Sequence, residues 1–252
     1  MNIALPNNIF SSLLAKALPL ELQDSIVFKE SALLNKQLLE SKADIVLIPS
    51  MDLLQHKEFF VSPKCGISFE GSIANSYLYF AKEEKTLDNI VLAGDISSVE
   101  AILAKIAIHE MYDQDVSISI SKNEVVDGTR NILLSGDMNF SAELYPHGLN
   151  FAEEIAEITG MPFVQYVFAS RNPKKLREFE AHTEDIELKI QGLLNDPEWT
   201  IPFSDETKAY FVENIQHVIY EFDSSDLQGL TEMLRLTFFH GLIQDMFEVK
   251  YE

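Results

Sequence analysis

A helix-like run, FAEEIAEI, meets Thr159-Gly160-Met161-Pro162-Phe163-Val164 and continues as QYVFAS, and this junction constrains the fold more than any other segment of the 252 residues. Gly160 stops an amphipathic helix, and Pro162 introduces a β-branched and aromatic strand. So tight a turn hands the chain straight back into a central sheet. A second segment, Ala43-Asp44-Ile45-Val46-Leu47-Ile48-Pro49-Ser50, has the complementary form. Its apolar run reads as a parallel strand covered on both faces. It ends in Pro-Ser, where a helix can start and where ligands of open α/β sheets bind.

The rest of the chain alternates in the same way. Strands are predicted at 3–5, 25–29, 43–48, 90–93, 116–120 and 131–134, and helices at 9–18, 31–41, 51–56, 97–109 and 151–158. A long alternating strand, SIANSYLYF (72–80), follows a turn region GISFEG (66–71), and the polar run KEEKTLDN (82–89) opens a second alternating set. Beyond Arg171-Asn172-Pro173 the pattern turns to helices only, at 173–179, 205–220 and 226–242. The two long strands, 72–80 and 163–169, bracket the middle set. This predicts two α/β lobes joined by two crossovers: residues 1–80 with 171–252 as lobe one, and 81–170 as lobe two. A cleft between them would be lined by strand ends and helix N-termini, and hinge closure on a small ligand is the expected motion.

Forty acidic against nineteen basic side chains give a net charge of −21, which disfavours nucleic acid and anionic membrane as partners. A small anionic ligand would have to be held by local donors, because the overall field repels it. Cys65 is the only cysteine and is expected to be a buried, inert thiol. The start MNIALPNN has no basic n-region, and no apolar run reaches the length of a membrane span, so a cytoplasmic location is expected.

No GxSxG, Walker A, GxGxxG or HExxH pattern occurs, and the six histidines are scattered without metal-ligand spacing. Neither a metal nor a cofactor is therefore expected. The paired acids Glu83-Glu84 and Glu153-Glu154 fit solvated faces, and Arg130, Arg171 and Lys64 fit exposed charges. Small polar residues at strand-to-helix junctions carry more: Asn7 and Asn8, Ser50, Ser68, Ser97 and Ser98, and Ser135-Gly136. Each suits simple capping, and together they suit a carboxylate on free N–H groups at helix starts.

Five blocks place these residues in a family context. LLESKADIVLIPSMDLLQH (38–56), GISFEGSIANSYLYF (66–80), NILLSGD (131–137), LNFAEEIAEITGMPFVQYVFASR (149–171) and the helical tail (210–243) resemble, in order, the chorismate dehydratase family of the futalosine route to menaquinone. The resemblance implies an α/β, two-lobed fold like that of type II periplasmic binding proteins, with a helical C-terminal tail. It also implies a lyase that removes water from chorismate in the interlobe cleft. Ser50, Ser68, Asn75, Ser97, Ser98 and Ser135 are the implied substrate contacts. The family opens with a Tyr-Leu-Asn-x-x-Pro turn whose asparagine faces the substrate. Here Phe10 falls at that asparagine and Leu13 at the proline, which leaves Asn8 as the candidate catalytic replacement. The family's Ser/Thr-rich turn is reduced to Ser97 and Ser98 before Val99 and Glu100, and a glutamate there would repel a dicarboxylate. A binding paralogue with a changed ligand or no turnover is the alternative. Phe10 is expected to be buried, with Asn8 at the helix start.

Overall fold

The computed structural model describes residues 1–82, 87–121, 124–196, 200 and 202–252. The chain begins with β1 (Ile3–Pro6), α1 (Ile9–Ala17), α2 (Leu20–Gln23), β2 (Ile26–Lys29), α3 (Leu34–Leu39), β3 (Ile45–Pro49), β4 (Phe60–Phe69) and β5 (Ser76–Tyr79). It continues through β6 (Asn89–Gly94), α4 (Ser98–Tyr112), β7 (Ser117–Ser121), β8 (Ile132–Ser135), α5 (Met138–Ser141), β9 (Leu149–Asn150) and α6 (Phe151–Thr159). β10 (Phe163–Ser170), α7 (Pro173–Glu180), α8 (Ile186–Asn195), α9 (Asp205–Asn214), β11 (Val218–Glu221), α10 (Ser224–Phe239) and β12 (Lys250–Tyr251) complete it. Short 3-10 turns at Ser31–Leu33 and Ser50–Leu54 replace the first turn of the predicted second helix and the predicted helix at 51–56.

The strands form two sheets. The larger runs β11-β4-β10-β3-β1-β2, with β12 beside β4, and the smaller runs β7-β6-β8-β5-β9. β3 lies between parallel β1 and antiparallel β10, and all five of its residues are buried, as its unbroken apolar run requires. Gly160 takes the left-handed conformation that ends α6, at φ 67°, and β10 enters the larger sheet three residues later.

The two sheets exchange the chain twice. Glu70 N still bonds to His217 O of the larger sheet's side, while Asn75 O already accepts from Gly136 N beside the smaller sheet. The first exchange therefore falls within 70–75, and the second between α6 and β10, earlier in both cases than the expected limits at 80 and 170. The sequence GISFEG is not a turn: Gly66 to Phe69 form the end of ten-residue β4. Conversely, only 76–79 of SIANSYLYF is strand, because 72–75 is spent on crossing. The tail is not purely helical either. Helix α9 stops at Asn214, and β11 pairs antiparallel with β4, Val218 opposite Phe69 and Ile219 opposite Ser68, while Val218 and Tyr220 are buried. Helix α8, absent from the prediction, packs against α1 and β11. The expected solvated pair Glu83-Glu84 lies outside the described residues.

Candidate functional site

The two lobes meet along a polar seam built from strand ends and helix starts. Asn8 leaves β1 in an extended conformation and caps α1, its Oδ1 accepting from Ser11 N at 2.9 Å. It is only 1% exposed. The next free N–H of that helix, on Ile9, donates to Asp137 Oδ1 of the opposite lobe at 2.8 Å.

Asp137 and its counterpart Asp95 are placed by one device used twice. The neighbouring parallel strands β6 and β8 each end in Gly-Asp, with Gly94 paired to Ser135. Gly94 has φ 84° and Gly136 φ 96°, a conformation that L side chains rarely adopt. A Cβ on Gly94 would stand 2.1 Å from Ser135 O. Each glycine turns the following aspartate out of its sheet and across the seam. Asp95 accepts from Ser31 N at 2.8 Å and from Ser31 Oγ at 2.7 Å, and Ser31 Oγ lies 2.9 Å from the buried Tyr166 hydroxyl of β10. Burial pushes the Asp95 carboxyl above the usual range, with Ser31 opposing and Glu100 adding to the rise. Burial pushes Asp137 up to about 6; the Ile9 N–H opposes this and the nearby Asp95 charge adds to it.

A third carboxylate, Glu100, is fully buried at the start of α4. Its Oε2 accepts from Ser97 N at 2.9 Å and Ser97 Oγ at 2.5 Å, so it closes a capping box on its own helix. Its Oε1 lies 2.9 Å from Ser76 Oγ, 3.3 Å from Ser135 Oγ and 2.8 Å from Gln165 Nε2, the last across the seam on β10. Asn75 Nδ2 donates to Ser135 Oγ at 3.2 Å. The donors to all three carboxylates are backbone N–H groups, hydroxyls and one amide. Charge-assisted hydrogen bonds contribute about 1.5–3 kcal/mol each, against several kcal/mol to desolvate each ion. The two nearly cancel, so the seam fixes geometry more than it adds stability.

The sequence candidates thus reach the seam in different ways. Asn8, Asn75, Ser97 and Ser135 belong to the connected network. Ser50, fully buried at the turn after β3, and Ser68, on β4, keep hydroxyls without a partner. Ser98 Oγ also has none of good geometry, although it faces Asp52 closely enough to hold that carboxyl's burial-driven rise in check. Ser68 stands in the same relation to Asp226, whose carboxyl burial likewise raises. Asn8 Nδ2, Ser11 Oγ, Asn75 Oδ1 and Gln165 Oε1 are buried and unpartnered as well. Lys64 and Arg130 stay largely exposed in peripheral ion pairs with Glu180 and Glu124.

Phe10 is buried, as its place three residues into the helix region suggests, but its partners come from both lobes. Its ring centroid lies 5.0 Å from Phe69, 5.9 Å from Phe140 of α5 and 5.7 Å from Phe211 of α9. Tyr145 and Tyr210 extend this cluster by stacking at 4.2 Å. The ring therefore fills lobe-to-lobe space where the resemblance puts a substrate-facing amide. A cavity of about 490 Å³ opens elsewhere, between α10 and the segment 243–251. Cys65 is fully buried, and burial pushes its thiol up to about 12, which leaves no thiolate for nucleophilic work. Among the described residues no group of three or more His, Cys, Asp or Glu side chains could hold a metal ion, and no helix is long and apolar enough to cross a membrane.

The residues that organise the seam but escaped the candidate set are Asp95, Asp137, Ser31, Ser76, Gln165 and Tyr166. A usable signal existed for two of them: Ala93-Gly94-Asp95 and Ser135-Gly136-Asp137 repeat Gly-Asp at the ends of two predicted strands.

The fold these lobes define is that of the two-lobed periplasmic binding proteins. The structure matches protein AF1704 from Archaeoglobus fulgidus with a TM-score of 0.71 at 15% identity, covering 96% of this chain and 98% of that one. It also matches the alkanesulfonate-binding protein SsuA from Xanthomonas axonopodis pv. citri, bound to MOPS, at 0.67 and 10%, covering 100% and 97%. The periplasmic aliphatic sulphonate binding protein SsuA from Escherichia coli matches at 0.58 and 9%, covering 99% and 89%. By sequence the chain belongs to the menaquinone biosynthesis family, whose model matches residues 3–238. No protein of curated function matches it.

Proposed function

We propose that this protein handles a small polar organic ligand in its interlobe cleft, in the cytoplasm and in the service of menaquinone biosynthesis, with a preference moved away from the dicarboxylate chorismate. One observation carries this reading. The N–H groups that face the seam from Ile9, Ser31 and Ser97 are already taken by the carboxylates of Asp137, Asp95 and Glu100. A dicarboxylate entering there would displace anions and then sit among them, a like-charge arrangement that costs several kcal/mol. Phe10 adds to the change, since an aromatic ring brings volume and no donor. What remains for a ligand is a set of neutral groups: the Ser50 hydroxyl, those of Ser68 and Ser98 beside the buried Asp226 and Asp52 carboxyls, and the amide atoms Asn8 Nδ2, Asn75 Oδ1 and Gln165 Oε1. A ligand rich in hydroxyl, amide or ring-nitrogen groups fits that set.

The second reading is turnover of chorismate by loss of water. It is favoured by the same neutral set, because elimination needs mainly orientation of the leaving hydroxyl and the acidic C–H. Asn8 would then orient the substrate, with Ser50, Ser68, Asn75, Ser97, Ser98 and Ser135 as contacts. Incubation with chorismate and chromatography of the products separates the two. We expect no consumption above the buffer control, together with a rise in melting temperature for members of a nucleoside, amide and aromatic-acid screen. Consumption that depends on Asn8 would overturn the first reading and establish the second.

A further inference from the structure

We infer that Asp95 and Asp137 form an internal ligand: two carboxylates of the smaller lobe that occupy the anion-accepting donors of the larger lobe and hold the cleft shut, so that a ligand reaches the remaining polar groups only in the open form. The inference rests on the small-ligand cleft proposed above and adds what keeps that cleft closed. The geometry is specific. Asp137 takes the free N–H of Ile9, and Asp95 takes both the N–H and the hydroxyl of Ser31. All three donors lie on the larger lobe, while both acceptors follow strands of the smaller sheet.

A merely structural cap would leave the rest of that helix start satisfied. It is not satisfied. Asn8 is 1% exposed, and its Nδ2 has no partner of good geometry, facing only the Tyr166 hydroxyl; Ser11 is fully buried with Oγ unpartnered, and both lie at the start of α1 beside the Ile9–Asp137 bond. Burying such groups without partners costs about 1–3 kcal/mol apiece. That cost is relieved if the closed, self-bound form alternates with one in which a ligand or water reaches them. Both aspartates are desolvated, and nearby negative charge disfavours each further: Asp95 acts on Asp137, and Glu100 and Glu30 act on Asp95. Carboxylates so placed make a latch that is positioned tightly and held weakly. The paired glycines Gly94 and Gly136 are what allow two adjacent strands to aim their next residues across the gap together.

The test is chemical rescue in the full chain. Asp95→Ala and Asp137→Ala each remove a carboxylate and leave a space that formate can fill. Sodium formate, compared with sodium chloride at equal ionic strength, is expected to raise the melting temperature of each variant by about 3–6 °C while leaving the wild type unchanged. In small-angle scattering the double variant should have a radius of gyration about 1 Å larger than the wild type, returning on addition of formate. Equal responses of variants and wild type to formate would overturn the latch. If the alanine variants do not fold, the isosteric Asp95→Asn/Asp137→Asn chain is measured by scattering alone. There an unchanged radius of gyration would overturn it. The outcome is separable from the chorismate assay. Rescue by formate together with chorismate turnover would keep the latch and remove the changed-ligand reading, and no rescue with no turnover would do the reverse.

Discussion

The two lobes are joined by two kinds of contact, and the contrast shows which of them can move. On one side Phe10, Phe69, Phe140, Phe211 and Tyr145 meet ring against ring, a contact that gains from area and tolerates small shifts. On the other side Asp137, Asp95 and Glu100 accept from Ile9, Ser31 and Gln165 across the seam at 2.7–2.8 Å, a contact that is directional and depends on charge state. The aromatic side should hold the lobes together. The polar side should decide how they close.

Removing the aromatic side should cost most. Phe140 is fully buried and touches rings from both lobes, so Phe140→Ala is expected to lose about 3–5 kcal/mol of stability by chemical unfolding. A loss under about 1 kcal/mol would show that the rings are not what binds the lobes. The polar side should instead reveal itself through pH. Asp137 rises from 3.8 to about 6 in the fold, so its contribution is fully present below pH 3.8 and is lost as pH climbs through about 6. The swing amounts to about 3 kcal/mol. Asp137→Asn should remove that part of the fall between pH 4 and 7, with the raised Asp95 carboxyl supplying the remainder. A wild-type and variant difference that is flat across this window would break the contrast between the two sides.

Smaller effects sharpen it. Glu100→Gln keeps the shape but loses the charge that five donors converge on, and about 1–3 kcal/mol of stability should go with it. Gln165→Ala in the same background should then cost less than in the wild type, because the two share one bond across the seam. Smallest is Ser31→Ala, which leaves the N–H to Asp95 but removes the hydroxyl between Asp95 and Tyr166. About 1 kcal/mol is expected, read as a modest fall in the urea midpoint.

The sequence disclosed the lobes better than the seam. Period and turn signals are local, so α6, Gly160, β10 and β3 could be read directly from their residues. β4 could not. Its Pro63 and Gly66 interrupt the pattern, and only the pairing with β10 and β11 makes a single strand of it. β11 was hidden because a helix and a strand follow one another in YFVENIQHVIYEF with only a 3-10 turn between. Asn8, Ser97 and Ser135 were legible because small polar residues at strand ends are unusual enough to mark, and Asn75 only through the family resemblance. Asp95 and Asp137 offered only the repeated Gly-Asp, a weak signal because an aspartate after a glycine also suits a solvated turn. Nothing local announces that both will face inwards. Ser31 and Gln165 become partners only through contacts 64 and 65 residues apart.

The Gly-Asp turns that end β6 and β8 have a consequence for how much ligand the protein needs. An acceptor tethered to the opposite lobe confronts Ile9 N–H and Ser31 N–H at an effective concentration in the millimolar range or above. On the latch inferred above, a ligand for the remaining polar groups must bind the open form strongly enough to offset that closure. If the self-bound form makes up about 99% of molecules, apparent affinity falls about 100-fold below the affinity of the open form. With that latch, the two aspartates weaken apparent affinity and so raise the ligand concentration, the threshold, at which the cleft fills. Their removal would lower that threshold without altering a single contact to the ligand's neutral groups.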